Sequence, residues 1–439
     1  MPTRKAIIWS ILGAFLLLPV RTGFDAPGIP NMDKTAIASL SVLLWTSIFS
    51  RRKVFTLPRS KILVALMVVY VASPFVTMLN NYDPLRLSVS TLPGMTIYDG
   101  VSLVIKQIIE IIPFLIGYSI FKTAGDMREL LKAIVVAALV YSLLILWEVR
   151  FSPQLHSQLY GFFPHSFVQQ MRGGGFRAVV FLGHGLLVAI FVAMAMVGAI
   201  GLWRNRIQVL GLPGIVYTPF LLLVLILCKS LGAAILAVVI GLALYLLRYR
   251  TVITLLAISG LIIVSYPFMR GAGLIPVNMI AEVSAEFSSD RASSFQTRIE
   301  NEELLLEKAA QKPIFGWGNW GRSRVYQKDW SGRFDNDVSI TDGTWIIIIG
   351  TFGWAGYIAS FGILAYPIAR AFRYQNKFAK FPVYIVLLAI LVVNLLDLLP
   401  NSSLTPITWF ISGVLAGFMP HTNNMHQAVV PFTQHDTQA

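Results

Sequence analysis

The sequence predicts an all-α polytopic membrane protein with about twelve transmembrane helices, and three observations support this class. The 439 residues are 56% hydrophobic and only 13% charged, whereas soluble domains carry about 25% charged residues. The mean hydropathy is +0.70. The apolar residues fall into repeated runs of roughly 16 to 26, long enough to cross a hydrocarbon layer of about 30 Å as helices. This pattern excludes a cytosolic enzyme, a secreted disulfide scaffold and a disordered chain.

The apolar runs predict the spans in order along the chain. They cover residues 6–20, 35–50, 61–79, 101–121, 130–147, 178–203, 209–228, 231–247, 252–268, 344–369, 381–399 and 404–419. The first run follows basic residues, as a signal peptide does, but Arg21 follows Val20 where a small-residue cleavage site would stand. We therefore interpret it as a span.

The loops between the runs predict the orientation. Lys and Arg residues concentrate in the segments that lie on one side if the N-terminus is cytoplasmic, as expected from the positive-inside rule. The chain then divides into nine helices within residues 1–268, a long outer loop at 269–342, three helices within 343–420 and a disordered cytoplasmic tail at 421–439. Two further outer segments, 80–100 and 150–177, are substantial.

Charge and cysteine content exclude further classes of partner and cofactor. The sequence pI is about 9.9, but the basic residues stand mostly at the ends of apolar runs, so we expect contact with membrane lipid and not with nucleic acid. The one cysteine, Cys228, excludes an intramolecular disulfide and a multi-cysteine metal site. We predict no metal site and no cofactor.

The long outer loop is predicted to be folded. A helix is expected over residues 295–311, stopped by Pro313, with Arg298 and Glu302 spaced to pair on one face. Gly316, Gly318 and Gly321 match G-x-G-x-x-G, but a helix precedes them, and the dinucleotide motif requires a preceding strand. We interpret the segment as a turn instead.

The same turn carries aromatic and basic side chains. Trp317 and Trp320 offer ring faces that can stack on sugars or rest at the lipid interface. Arg322 and Arg324 follow, and they suit either binding of acidic sugars or simple solvation.

Three cations stand where an anion could bind. Arg172 and Arg177 bracket a glycine run in an outer segment without acidic residues, and guanidinium groups with glycine amides suit phosphate oxygens. An anchor for lipid headgroups is the alternative. Lys229 lies between two apolar runs, where an ammonium needs an anion or must extend to the interface.

Several polar residues interrupt the apolar spans. Lys106 and Glu110 stand i,i+4 on the fourth span, as in an internal salt bridge or in a proton-coupled transporter. His184 is interpreted as a packed histidine. Asn394 and Asp397 near the outer end of the eleventh span could line a groove.

The order of these motifs resembles that of the bacterial O-antigen ligases and the O-antigen or exopolysaccharide polymerases. The resemblance covers roughly residues 150 to 369. It includes the Arg–Gly loop before the sixth span, Lys229–Ser230 near the eighth, and Asp342–Gly343 at the tenth. Its clearest part is Arg298 followed by Pro313, Phe315, Gly316, Trp317 and Gly318, and later by Gly353 and Gly356.

The resemblance implies a GT-C-like fold and a metal-independent, inverting glycosyltransferase of the bacterial inner membrane with its active site facing the periplasm. The donor would be a polyprenyl-diphosphate-linked glycan, and the acceptor a lipid-linked repeat unit or the lipopolysaccharide core. Family ligases carry a His where this chain has Asp342, and many members have an Arg where it has Lys229. Both differences favour a polymerase over a ligase.

Glycan transfer from such a carrier requires a base and cations. We expect Asp342 to take the proton of the acceptor hydroxyl, with capping of the tenth helix as its alternative role. Asp335 and Asp337 are the next candidates. The cations expected to stabilise the leaving diphosphate are Arg172, Arg177, Lys229 and Arg298. A transporter of glycans or lipid-linked glycans stays open as a third function.

Overall fold

The protein, as a computed structural model, is described over residues 3–24, 30–49, 55–172, 174–275 and 289–420, without the side chains of residues 49, 172 and 289–295. The tail predicted to be disordered, 421–439, lies outside the described residues, and so does part of the long outer loop, 276–288. The chain is mostly helical within the described ranges.

The helices follow the apolar runs. They are α1 Thr3–Leu17, α2 Lys34–Phe49, α3 Lys61–Leu79, α4 Ile97–Ile120, α5 Ala124–Phe151, α6 Leu155–Tyr160, α7 Gly185–Arg204, α8 Gly214–Leu227, α9 Leu231–Leu246, α10 Tyr249–Gly271, α11 Ser289–Ala310, α12 Thr344–Arg373, α13 Gln375–Phe378, α14 Pro382–Asp397 and α15 Pro406–Gly417. Each of the twelve predicted spans overlaps one of them.

Six of the described helices are long and apolar enough to cross a membrane, namely α3, α4, α5, α7, α10 and α12. Five shorter apolar helices, α2, α8, α9, α14 and α15, accompany them. These findings confirm the class of an all-α membrane protein. The number of twelve crossings stays a prediction.

Short antiparallel hairpins lie between the helices. They pair β1 Gly23–Phe24 with β2 Met32–Asp33, β3 Leu85–Arg86 with β4 Thr91–Leu92, β5 Met171–Arg172 with β6 Gly175–Phe176, and β7 Tyr326–Lys328 with β8 Asp335–Asp337. In the described part of the long outer loop, the predicted helix is present as α11, and it is followed by the β7–β8 hairpin.

The core is built around α7 and α14. Every α14 residue from Tyr384 to Val393 is fully buried, and α7 is almost as enclosed. Helices α4 and α15 approach closely at Gly413, where a Cβ would stand 2.1 Å from the Phe114 carbonyl oxygen. Such small residues let two helices approach closely. Close packing matters in a membrane, because the hydrophobic effect does not drive helices together in lipid.

Helix α12 is broken in its first half. Gly353 has φ 66° and ψ −167°, a combination open essentially to glycine alone. The break exposes backbone groups that a helix would pair internally, and a membrane has no water to pair them. The outer-loop turn takes over this role, because Trp317 N–H donates to Gly350 O at 2.9 Å and Trp354 N–H donates to Pro313 O at 2.8 Å.

The two backbones touch at a pair of glycines. A Cβ on Gly353 would stand 2.3 Å from the carbonyl carbon of Ile314, and one on Gly316 would stand 2.5 Å from that of Thr351. The end of α3 adds side-chain bonds to the same turn, since Thr77 Oγ1 donates to Phe315 O at 2.6 Å. The predicted turn at 313–321 is therefore confirmed, and it is inserted into the break of α12.

We predict that Gly353→Ala destabilises the protein. The backbone conformation alone would cost about 1–3 kcal/mol, and the added methyl group would separate the turn from α12. The measurement is the thermal unfolding midpoint in detergent, which we expect to fall clearly. Gly13→Ala in α1 is the control, because a Cβ there meets nothing within 4 Å. Equal midpoints for the two variants would contradict the proposed role of this crossing.

Candidate functional site

The Arg–Gly segment forms a hairpin that leads directly to a buried arginine. Strands β5 and β6 pair antiparallel, and Gly174, directly before β6, has φ +70°. Arg177 follows β6, is only 3% exposed, and donates its N–H to Gln170 O at 2.8 Å. Its side chain crosses the start of α7, since a Cβ on Gly185 would stand 2.1 Å from Arg177 Cδ. The side chain of Arg172 lies outside the described residues.

Lys229 lies beside this hairpin, as expected if Arg177 and Lys229 belong to one site. It connects α8 and α9 in a left-handed conformation with φ 51°. Its carbonyl accepts a hydrogen bond from Arg177 Nη2 at 3.0 Å. Its Nζ lies 2.7 Å from the position of a Cβ on Gly175. Two cations that are 52 residues apart in sequence thus share one corner of the fold.

Glu148 of α5 holds the segment between Arg177 and α7, and sequence reasoning missed it. This carboxylate is fully buried. One oxygen accepts the N–H groups of Val179 and Val180, both at 2.7 Å, and the other accepts that of Leu155 at 3.0 Å. Because Val180 has φ 46°, the segment is not helical, so α7 begins seven residues after the predicted start of the span.

His184 belongs to the same corner, although sequence reasoning treated it as a packed residue. It is the N-cap of α7, and its Nδ1 accepts the Leu186 N–H at 3.1 Å. Its ring meets that of His165 edge-on, with centroids 4.7 Å apart. Burial lowers its pKa to about 4, and the positive charges of His165, Arg177 and Arg298 add to the effect. The lowered pKa thus reflects burial first, and the neighbouring positive charges second.

Arg298, in the middle of α11, and Asp342, two residues before α12, form an ion pair. Arg298 Nε lies 3.1 Å from Asp342 Oδ2, and Arg298 Nη1 donates to Pro400 O at 3.4 Å. The predicted pairing of Arg298 with Glu302 is wrong, because Glu302 pairs with Arg270 of α10 at 3.4 Å. Sequence spacing shows neighbours on one helix, but it cannot show that another helix offers a buried arginine.

The start of α12 bears on the capping role that is the alternative to Asp342 as the base. The N-cap of α12 is Gly343, which has no side-chain capping bond. Asp342 therefore does not cap the helix. Its carboxylate is partly exposed and lies 3.1 Å from Arg298 Nε.

The two alternative carboxylates, Asp335 and Asp337, are engaged within the outer loop. Asp335 accepts the N–H of Ser90 at 2.6 Å and that of Val89 at 2.9 Å. Asp337 lies 3.4 Å from Arg324 Nη1. Both carboxylates thus tie the β7–β8 hairpin to its surroundings.

Asp397 and Asn394 hold the loop between α14 and α15. Asp397 accepts hydrogen bonds from Asn401 Nδ2 at 2.8 Å and from Ser403 Oγ at 2.7 Å. Asn394 Oδ1 accepts from Thr408 Oγ1 at 2.6 Å. The Pro400 carbonyl of this loop accepts a hydrogen bond from Arg298. Asp397 and Asn394 therefore stabilise the loop that contacts the Arg298–Asp342 ion pair.

The aromatic and basic residues of the turn differ in exposure. Trp317 is buried, its Nε1 donates to Lys308 O at 2.7 Å, and Lys308 and Lys312 lie 3.8 and 4.6 Å from its ring centre. It therefore offers no ring face to a sugar. Trp320 is 55% exposed and keeps a face open.

The two arginines that follow the turn donate hydrogen bonds to backbone carbonyl groups. Arg322 is buried and donates to the carbonyls of Pro93 at 2.7 Å and Asp83 at 3.0 Å. Arg324 donates to Ser339 O at 2.9 Å. Both therefore hold the loop together, and neither lies in the corner with Arg177.

The fourth span carries the predicted ion pair. Lys106 Nζ lies 3.9 Å from Glu110 Oε1, and Tyr70 of α3 donates to the other carboxylate oxygen at 2.9 Å. The pair borders a cavity and is separate from the hairpin corner.

The site thus groups Arg177, Lys229 and His184 before the start of α7 with the Arg298–Asp342 ion pair, whose guanidinium acts electrostatically on His184. We call this group the cationic centre. Fixed cations can stabilise charge that develops on a leaving phosphate, and a carboxylate beside them can accept a proton. Among the described residues, no three His, Cys, Asp or Glu side chains are grouped to hold a metal ion.

Comparison with known proteins gives no relative, since no family model, no curated protein and no solved structure matches this chain. The function is therefore inferred from the sequence and from the geometry of the site.

We predict that Glu148→Gln loosens the segment before α7. Each hydrogen bond to an ionised group contributes about 1.5–3 kcal/mol, and a neutral amide would keep only part of this. Hydrogen exchange at Val179 and Val180 is the measurement, and we expect it to accelerate by at least about tenfold. Glu129→Gln, which removes an exposed carboxylate of the same helix, is the control. Unchanged exchange at both amides would refute the anchoring role.

We also predict a pH-dependent stability that involves His184. Its pKa is about 4 in the fold and near 6.5 in an unfolded chain, so the unfolded state binds more protons between these values. Stability should therefore be complete above about pH 6.5 and fall as the pH drops toward about 4. His184→Asn keeps a capping acceptor and should flatten this dependence. Unfolding midpoints across this range are the test, and parallel curves for both proteins would contradict it.

Proposed function

We propose that this protein is a membrane glycosyltransferase that transfers a glycan from a polyprenyl diphosphate carrier to a second lipid-linked repeat unit. The observation that carries the proposal is the cationic centre, in which Arg177 and Lys229 share the corner before α7, and Arg298, paired with Asp342, acts electrostatically on the His184 N-cap of α7. A leaving diphosphate needs several fixed cations, and a nucleophilic hydroxyl needs a base within reach.

In the proposed reaction an acceptor hydroxyl oxygen attacks the anomeric carbon of the donor sugar. The bond from that carbon to the diphosphate oxygen breaks, and the diphosphate leaves with the electron pair. Asp342 takes the hydroxyl proton. Arg298 holds Asp342 on one side and adds positive charge toward the leaving group on the other, while Arg177 and Lys229 supply the remaining charge.

The setting of the site suits this substrate. The cations lie at the ends of apolar helices, where a polyprenyl chain can stay in lipid while its diphosphate reaches the protein. We further propose that the protein lies in a bacterial inner membrane with its active site on the periplasmic side. The proposed fold is GT-C-like, and the proposed reaction is inverting and metal-independent. Trp320 is an exposed ring available to a sugar in this loop, and so is Trp330.

A second candidate function is transport of a glycan or lipid-linked glycan. It is favoured by the Lys106–Glu110 pair beside a cavity within the helices, because intramembrane ionisable residues commonly mark transport paths. An active Lys106→Met/Glu110→Gln variant of normal abundance would argue against it.

We predict that Asp342→Asn abolishes glycan extension in cells. General base catalysis contributes about 10²–10⁴ in rate, so elongation should fall by at least about a hundredfold at normal protein abundance. The measurement is the profile of carrier-linked glycans in a deletion strain that carries the variant. Glu300→Gln, which changes an exposed carboxylate on α11, should behave as wild type.

The same profile distinguishes the functions. Single repeat units accumulating on the carrier support polymerisation, whereas full-length polymer stranded on the carrier would mean an O-antigen ligase with a lipopolysaccharide acceptor. Normal extension with Asp342→Asn would remove this residue as the base. A carrier-linked glycan profile that does not change on deletion would refute glycan transfer altogether.

A further inference from the structure

A polar cavity of about 370 Å³ lies between α2, α3, α4, α12 and α15. Its size falls within the range of small-molecule binding sites. The lining mixes amides, hydroxyls and carboxylates with aromatic rings, and it includes Asn31, Gln107, Glu110, Asn319, Thr344 and Ser402. Helices of a membrane core have no reason to gather such groups for packing alone, because each buried polar group must find a partner.

One of these groups has no partner within the fold. Gln107 of α4 is only 4% exposed, and among the described residues nothing donates a hydrogen bond to its Oε1. A buried amide oxygen without a donor costs about 1–3 kcal/mol. Because the side chain lines the cavity, a donor supplied by a ligand would remove this cost.

The charges around the cavity indicate which ligands it accepts. Asp33 and Glu110 contribute two carboxylates, and Lys106 contributes one ammonium group. An anionic ligand would face net repulsion. Carboxylate and amide oxygens accept hydrogen bonds from hydroxyl groups, and Tyr70 and Trp409, with ring centres 5.2 Å apart, provide an aromatic wall. This combination suits an uncharged sugar.

Two chain segments connect the lining of the cavity to residues of the cationic centre or to their partners. Thr344 lines the cavity and follows Asp342 by two residues, and Ser402 lines it two residues after Pro400, whose carbonyl accepts from Arg298. The cavity lining and the proposed base are therefore separated by two residues along the chain.

We propose that this cavity binds an uncharged sugar residue of the acceptor glycan and directs its hydroxyl toward Asp342. This inference rests on the proposed function, since it names the acceptor subsite of the same reaction. Gln107 donates and accepts hydrogen bonds with the sugar, Glu110 accepts from its hydroxyls, and Tyr70 and Lys106 hold Glu110 in place.

Cysteine accessibility tests the cavity directly. The native thiol, Cys228, is buried, so a cysteine introduced as Ser402→Cys or Asn319→Cys in the cavity lining can be labelled over a low background with a small water-soluble methanethiosulfonate. Gln327→Cys on the exposed face of β7 is the control. The probes are a panel of uncharged monosaccharides that includes galactose and N-acetylglucosamine, with glucuronate as the anionic comparison.

We expect at least one uncharged sugar to slow labelling of the cavity cysteines by about tenfold at roughly ten times its Kd. Glucuronate should slow it far less, and Gln327→Cys should react at the same rate throughout. Labelling that no sugar slows would mean an aqueous cavity without a sugar site, and equal protection by glucuronate would refute the charge argument. Either result overturns the proposal.

A second variant separates this inference from the proposed function. Gln107→Leu removes the sugar contact, and we expect carrier-linked single repeat units to accumulate as extension slows by about tenfold. Normal extension in this variant would overturn the acceptor subsite while leaving glycan transfer intact. Protection by sugars in a protein whose deletion leaves carrier-linked glycans unchanged would refute glycan transfer and not the sugar site.

Discussion

The crossing of the outer-loop turn with the break in α12 is the constraint on which the remaining structure depends. A helix cannot be interrupted among apolar neighbours unless other groups bind the freed backbone atoms, and residues 313–318 do so. The two chains can meet because Gly316 and Gly353 lack side chains. This crossing fixes the C-terminal end of α11 against α12, and farther back along α11 Arg298 lies 3.1 Å from Asp342.

The cationic centre is held by groups that do not themselves face a substrate. Glu148 binds three backbone N–H groups, and its buried charge is acceptable because these donors replace water. The segment that it fixes carries Arg177 at one end and His184 at the other. A neutral His184 adds no further positive charge beside Arg177 and Arg298.

The periodicity of apolar residues was sufficient to predict the helices, because burial in lipid or core imposes it on every span. The start of α7 was not predictable, since most of residues 178–184 are as apolar as a helix, and their non-helical path depends on hydrogen bonds to Glu148 and Tyr141 of α5. The grouping of Arg177 with Lys229 followed from their positions at span ends. The partners of Arg298 and the burial of Trp317 depend on tertiary packing between distant segments, which one sequence does not show.

The most direct test of the account is binding of a prenyl diphosphate to the purified protein. Farnesyl diphosphate and farnesol share the same apolar chain, so their difference in affinity isolates the diphosphate. We expect the diphosphate to bind far more tightly, and its affinity to fall by at least about a hundredfold in a folded Lys229→Gln/Arg298→Gln variant. Equal affinity for both ligands, or a diphosphate affinity that survives loss of both cations, would contradict the account.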